Sequence, residues 1–318
     1  MLGTIIVNYK TDNRVIKYVT EELTKITRDN KIVIVNNSAT DQSNLRIAEG
    51  CRGRIICANG TIDEESNIFV LGSEENIGFA RGNNLGITFL LKHFQLDYLL
   101  VSNCDLYFAD HDVVDKLIAK MDDSPDIGLI GPCVVTPLGD RQSPVKNLSV
   151  WKREILPRLL YPLFGFLRSM GKTPCSRIGE DVEGDYDILN GSFYLLRTAA
   201  FVKAGMFDPY TFLYSEESIL GDRIKKAGFR VYYYNPVKII HEHQVTAKTL
   251  NLFDKLLKDL YDSNRYYQKE YKDINLFELL MYDLSYYVFV YIWKPFINLR
   301  AAIKQRCLKK HSRKGQET

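Results

Sequence analysis

Short, uninterrupted apolar runs recur through the first half of the chain, each closed by polar or glycine residues. They are "GTIIVNYK" (3–10), "KIVIVNNS" (31–38), "NIFVLGS" (67–73), "DYLLVSN" (97–103) and "IGLIGPCVV" (127–135). Runs rich in β-branched residues and without polar alternation read as strands buried on both faces. Between them the apolar spacing becomes helical. Val15, Tyr18, Val19, Leu23 and Ile26 predict a helix over about 13–28; further helices are predicted over 79–94 and over 111–122, the last with Asp110 as N-cap. Alternating β and α units predict an α/β fold with a doubly wound, mostly parallel sheet flanked by helices.

The pattern loosens over 136–186, where Pro137, Pro144, Pro157, Pro162 and Pro174 interrupt a stretch with no clear strand. This predicts an irregular insertion with one amphipathic patch, "VWKREILPRLLYPLFGFLRSM" (150–170). Order resumes with "YDILNGSFYLLR" (186–197), read as strand, turn and strand. A short helix follows at 198–204, then one over 216–227 with Gly228 at its C-cap. "RVYYYNP" and "KIIHEH" predict two strands, and from 250 to about 310 the pattern is helical with no break before Pro295. The expected organisation is therefore an α/β domain over 1–249, carrying the 136–186 insertion, and a helical extension over 250–318.

Composition narrows the class. A chain of 318 residues with 46% hydrophobic and 25% charged residues resembles a soluble globular protein. The net charge of +3 conceals an asymmetry: eight Lys or Arg against Glu317 alone lie from Lys294 onward, leaving 34 basic and 38 acidic residues before it. A mildly acidic body argues against nucleic acid as a partner. Six cysteines without C-x-x-C spacing fit a reducing compartment. The N-terminus has no basic region ahead of its short apolar stretch, and no uncharged run approaches the roughly 20 residues of a membrane span. The expectation is a cytoplasmic protein.

Ligands of doubly wound sheets collect beyond the carboxyl ends of the strands, and polar residues converge there. Asn8 and Tyr9 follow the first run, Asn36 and Asn37 the second, Asn103 and Asp105 the fourth. "LLVSNCD" reads either as an Asx-stabilised turn or as a site where Asp105 meets a hard divalent cation and Asn103 a ribose or phosphate. In "FLYSEES", Glu216 and Glu217 open a helix. They serve its dipole, or form a catalytic base beside an aromatic wall of Phe207, Tyr210, Phe212 and Tyr214. His241 and His243 in "IIHEHQVTA" share one face of a strand, as structural residues or as metal or phosphate contacts. "ENIGFARGNNLGI" (75–87) places Gly78, Gly82, Gly86 and Arg81 at a loop-to-helix junction suited to phosphate, without a dinucleotide fingerprint or P-loop.

Taken in order, "VNYKT", "IVIVNNSATDQS", "ENIGFARGNNLGI", "LLVSNCD", "LNGSFYLLRTAAFVKAGMFDPYTFLYSEESILGDRIKKAGF" and "HEH" resemble family 2 glycosyltransferases of GT-A fold, especially the bacterial rhamnosyltransferase-like branch. The resemblance spans about 1–250 and is weakest over 136–186. It implies that Asp105 binds the metal, that Glu217 is the catalytic base, and that Glu216 is its acidic neighbour. It further implies a nucleotide-sugar pocket of Asn8, Tyr9, Asn36, Asn37, Asp41, Asn76, Gly78, Asn83, Asn103 and Gly191, with His241 near metal and diphosphate. The chain departs from the family at three points. Asn36–Asn37 replaces Asp–Asn, leaving base recognition open; Cys104 replaces a common Pro. Glu217 extends one methylene beyond the usual Asp.

The implied activity is inverting transfer of rhamnose or another hexose from a nucleoside diphosphate sugar to a saccharide, in cell-surface polysaccharide synthesis. The cofactor is a divalent cation, Mn or Mg, and the acceptor is lipid-linked. A non-catalytic nucleotide-sugar-binding protein and a nucleotidyltransferase on a similar sheet are the alternatives. The nucleotidyltransferase is disfavoured because "NYKTDN" lacks a glycine-rich loop. The C-terminal "INLFELLMYDLSYYVFVYIWKPFINLR" is aromatic and apolar, interrupted by Glu278 and Asp283, and a basic tail follows. It reads as an interfacial helix on anionic lipid, peripheral on the inner face of the membrane, or as a packing helix with a solvated tail.

Overall fold

In a computed structural model, the described residues are 1–37, 39–56, 65–172, 175–242 and 253–300. The chain divides into two compact units. The larger comprises residues 1–147 and 178–267, and the smaller residues 148–177 and 268–318.

The larger unit is built on one ten-stranded sheet. Its strands are β1 (Leu2–Asn8), β2 (Asn30–Asn37), β3 (Arg54–Ile56), β4 (Ile68–Ser73), β5 (Tyr98–Ser102), β6 (Leu106–Phe108), β7 (Ile127–Val135), β8 (Gly184–Asp185), β9 (Phe193–Arg197) and β10 (Arg230–His241). The order is β3-β4-β2-β1-β5-β9-β7-β10-β6, with β8 on β10. The first five strands in this order are parallel, as are β7 and β10; β9, β6 and β8 pair antiparallel to their neighbours. Ile5 and Ile6 are both fully buried although successive side chains point to opposite faces, because helices cover both sides. That double burial is what the unalternated apolar runs encode.

The covering helices are α1 (Asp12–Lys17), α2 (Asp41–Cys51), α3 (Phe79–His93), α4 (Val113–Asp123), α7 (Thr198–Lys203), α8 (Glu216–Lys226) and α9 (Phe253–Tyr271, reaching into the smaller unit). Helix α5 (Leu156–Leu159) and α6 (Tyr161–Ser169) belong to the smaller unit, as does α10 (Leu276–Val288). The predicted 13–28 helix ends at Lys25, after α1 passes through a π turn and a 3₁₀ turn. The N-cap position of α4 is Asp112, not Asp110; its side chain makes no capping hydrogen bond and its carboxylate pairs with Lys116 at 3.0 Å.

Two sequence expectations are revised. The two strands expected over "RVYYYNP" and "KIIHEH" are one strand, β10, whose pairing with β7 shifts register between Tyr234 and Lys238. The irregularity absorbs Pro236, which has no N–H to give a ladder. Of "YDILNGSFYLLR" only Phe193–Arg197 forms a strand, Ile188 making a single bridge to Val145. Residues 276–300 form one helical run long and apolar enough to cross a membrane by length and composition. Glu278 does not interrupt it: it completes a capping box with Asn275, whose side chain accepts from the Glu278 N–H at 2.9 Å.

Candidate active site

The carboxyl ends of β1 and β2 are closed by a buried amide network. Asn8 Nδ2 donates to Asn36 Oδ1 and to Asp12 Oδ1, both at 2.9 Å, while its Oδ1 accepts from the Thr11 N–H and hydroxyl. Asn36 in turn donates to Ser43 and Asn44 at the start of α2. These hydrogen bonds fix the turn from β1 into α1 and the approach to α2. Tyr9, by contrast, is half exposed, and Asp41 is exposed in the first turn of α2.

Asn37 performs the same task for the next loop. It donates to Asn76 Oδ1 at 2.8 Å and to the Gly78 carbonyl at 3.1 Å, and accepts from the Ile77 N–H. Gly78 has φ +86°, and an added Cβ would lie 2.4 Å from the Phe212 carbonyl. The same carbonyl accepts from the Phe79 N–H at 2.9 Å. The glycine is thus required both by conformation and by contact. It brings the loop before α3 against the "FLYSEES" segment. Asn83 donates to the Phe79 carbonyl, and its own buried Oδ1 has no partner among the described residues. Arg81, expected as a phosphate cation, instead donates to the Pro209 carbonyl at 2.7 Å.

Beyond β5, Asn103 N donates to the Ser192 carbonyl, joining "LLVSNCD" to the "LNGS" turn. Asp105 follows on the short connection to β6, and Glu242 N donates to its carbonyl. Its carboxylate Oδ1 is 3.3 Å from His241 Nε2 at the end of β10, and Oδ2 is 4.0 Å from Arg14. His241 Nδ1 lies 2.7 Å from Gln142 Oε1. In the neutral imidazole Nδ1–H donates to Gln142, so the Nε2 lone pair faces the Asp105 oxygen. With Gln142 holding the ring, this nitrogen and carboxylate oxygen form an ion pair when the imidazole is protonated and a donor set suited to a shared cation when it is neutral. Among the described residues, no cluster of three His, Cys, Asp or Glu side chains is suited to hold a metal. His243, expected beside His241, lies outside the described residues.

The third part is the glutamate pair at the start of α8. Tyr214 and Ser215 precede it with φ of +76° and +67°, conformations disfavoured for residues with a side chain. Glu216 is buried, and burial followed by repulsion from Glu217 raises its carboxyl to about 8. Glu217 is less buried and lies against the turn: a Cβ added at Gly191 would be 3.8 Å from Glu217 Oε2. Tyr194 sits beneath, fully buried, its hydroxyl raised well above the ordinary range by burial and by the two carboxylates.

The turn at 190–192 links these parts. Asn190 approaches Gln142 and Ser143, and Asn103 binds Ser192, so the acid pair and the Asp105–His241 pair flank one loop. Sequence reasoning missed Gln142, Tyr194 and Asn264, which accepts from Ser215. Gln142 lies in a proline-interrupted stretch outside every quoted motif, and the other two are a strand and a helix residue with no local signal.

No family model matches this chain. It is 28% identical over 145 residues to N-acetylglucosaminyl-diphospho-decaprenol L-rhamnosyltransferase of Mycobacterium tuberculosis, covering 46% of this chain and 47% of that one. It is 27% identical over 169 residues to rhamnosyltransferase WbbL of Escherichia coli K12, covering 52% and 60%. With the low-salt glycan biosynthesis hexosyltransferase Agl10 of Haloferax volcanii it shares 22% over 248 residues, covering 77% and 68%. The matches thus span about half the length of the two rhamnosyltransferases. By structure it resembles mannosyltransferase PcManGT from Pyrobaculum calidifontis, solved with GDP-Man and Mn2+ (12% identity, 90% of this chain and 69% of that one, TM-score 0.54). It also resembles GalNAc-T7, solved with UDP, GalNAc and Mn2+ (13% identity, 84% and 49%, TM-score 0.52). The fold is that of GT-A glycosyltransferases, and the sequence similarity is to their rhamnosyltransferase-like branch.

Proposed function

We propose that the protein is an inverting, metal-dependent glycosyltransferase. It moves rhamnose or another hexose from a nucleoside diphosphate sugar to a lipid-linked saccharide in cell-surface glycan synthesis. The observation that carries this reading is the pairing of Asp105–His241 on one side of the 190–192 turn with Glu217 on the other. One side offers a cation-binding donor set, and the other a carboxylate.

Asp105 and His241 would hold a divalent cation, Mn2+ or Mg2+, which when bound neutralises charge on the leaving diphosphate. Gln142 keeps Nε2 of His241 turned to that position. Asn103 and the loop of Asn76, Gly78 and Asn83 border the donor. Asn8, Asn36 and Asn37 act from below it, because their side chains are committed to holding the loops in place. Tyr9 and Asp41 are accessible and meet the nucleoside.

Glu217 accepts the proton of the acceptor hydroxyl as that oxygen attacks the anomeric carbon from the face opposite the diphosphate. One displacement inverts the centre, breaking the bond to the diphosphate as the new glycosidic bond forms. Glu216, held protonated at neutral pH by burial, leaves Glu217 as the base. The acceptor lipid places the enzyme at an anionic membrane surface, on the cytoplasmic face, reached through the C-terminal segment. A donor panel read by thermal shift, with and without Mn2+, tests the first half. Stabilisation by one nucleoside diphosphate sugar that requires the cation and is lost in Asp105→Asn supports it; stabilisation indifferent to metal and to Asp105 overturns it.

A further inference from the structure

Among the described residues, the smaller unit carries two exposed apolar stripes. On α10 and its continuation, Leu276, Leu280, Leu284, Tyr287 and Tyr291 recur every three or four residues and are each half exposed or more. On α6 and at its C-cap, Leu163, Phe166 and Met170 follow the same spacing and are 49%, 61% and 56% exposed. The start of α6 meets the continuation of α10: the Tyr161 and Phe289 rings lie edge to face with centroids 5.4 Å apart, and Trp293 Nε1 donates to the Leu159 carbonyl on α5, just ahead of α6.

The opposite side of α10 is committed to charge. Buried Glu154 accepts from Arg158 at 2.7 Å and from Arg177 at 3.2 Å, with Arg153 at 3.4 Å. The Arg158 guanidinium lies 4.8 Å over the ring of Tyr282 on α10. Trp151 Nε1 donates to Glu278. A helix that spanned a bilayer would carry this ion cluster into hydrocarbon, a costly placement. A helix lying in the interface keeps its stripe in the acyl boundary and the cluster on the water side. Arg168, Lys172 and Arg300 are exposed on the same unit, and seven of the eight basic residues from Lys294 onward follow Phe296 in the sequence. That charge selects an anionic surface.

We infer that the smaller unit is a monotopic docking module in which α6 and α10 enter one leaflet together, and that the 276–300 helix does not cross. The inference rests on the membrane being a partner of the enzyme and adds which surface meets it, with α6 as a required half.

Purified full-length protein, added without detergent to phosphatidylcholine vesicles with and without phosphatidylglycerol, reads this out by co-sedimentation. The variants are Phe166→Glu on α6, Leu284→Glu on α10 and Val202→Glu, an exposed position on α7, as charge control. Thermal melting and transfer to a soluble acceptor check that each is folded. The wild type is expected to bind the anionic vesicles preferentially and to lose affinity with salt. Phe166→Glu and Leu284→Glu are each expected to weaken binding about tenfold or more, with Val202→Glu unchanged. Wild-type binding by Phe166→Glu alongside loss in Leu284→Glu overturns the role of α6. A wild type that binds no vesicle removes the membrane as partner altogether. A lipid-free dimer that either variant dissolves makes the face a protein interface, and a chain soluble only in detergent makes the helix a span.

Discussion

The Ser215 hydroxyl donates 2.8 Å to the Asn264 side chain, and this buried bond ties α9 to the residue immediately before the two glutamates. Ser263 donates to the Leu213 carbonyl and Tyr266 to Asp208, so one helix grips the segment at three points. Left-handed conformations at Tyr214 and Ser215 cost about 1–3 kcal/mol each and persist only where the surroundings enforce them. Helix α9 supplies that enforcement. Asn264→Ala is expected to lower stability by about 1–3 kcal/mol and to reduce kcat more than it raises KM. Loss of melting temperature with unchanged kcat would confine Asn264 to packing.

Glu216 gives a pH signature. Its carboxyl stands at about 8 in the folded chain against the usual 4.5. Between those values the unfolded chain binds fewer protons than the folded one, so stability falls as pH rises from about 4.5 to about 8 and then levels. Glu216→Gln removes the slope and gains on the wild type with rising pH, by a few kcal/mol at most, on the order of the linkage value. Melting curves across about pH 4–9, spanning both values, check this; parallel curves for the two proteins would contradict it.

Glu217→Gln is expected to lower turnover about 10²–10⁴-fold while leaving donor affinity nearly unchanged. Steady-state kinetics beside donor titration separates the two. Wild-type turnover in this variant, with Glu216 intact, would move the base elsewhere.

Gly78→Ala meets both a positive φ and the Phe212 carbonyl at 2.4 Å. The loop or the 207–217 segment must shift, and the expected outcome is weaker donor binding together with a lower melting temperature.

Much of this was legible in the sequence because the sheet is buried on both faces. Ile5–Ile6, Val33–Ile34 and Leu99–Leu100 leave no polar alternation, and the first two runs stop at buried amides, Asn8, Asn36 and Asn37. Asp105 and His241 were each legible as candidates, but their 3.3 Å approach was not, since it depends on β6 pairing antiparallel with β10. The Leu106–Phe108 strand is three residues long and went unread. Gln142 could not be found from spacing, because its role exists only through the folded position of His241. In the C-terminal helix, Glu278 looks like an interruption in a linear pattern and is a cap in three dimensions. The basic tail beyond residue 300 lies outside the described residues.

The most direct test supplies the donor selected by thermal shift, Mn2+ and a lipid-linked saccharide acceptor, and follows glycosylated product together with released nucleoside diphosphate. The account predicts one product per diphosphate, with inverted anomeric configuration, abolished by Asp105→Asn and by chelation. Tight donor binding without product, across acceptors that a control enzyme glycosylates, would contradict it and leave a nucleotide-sugar-binding module in its place.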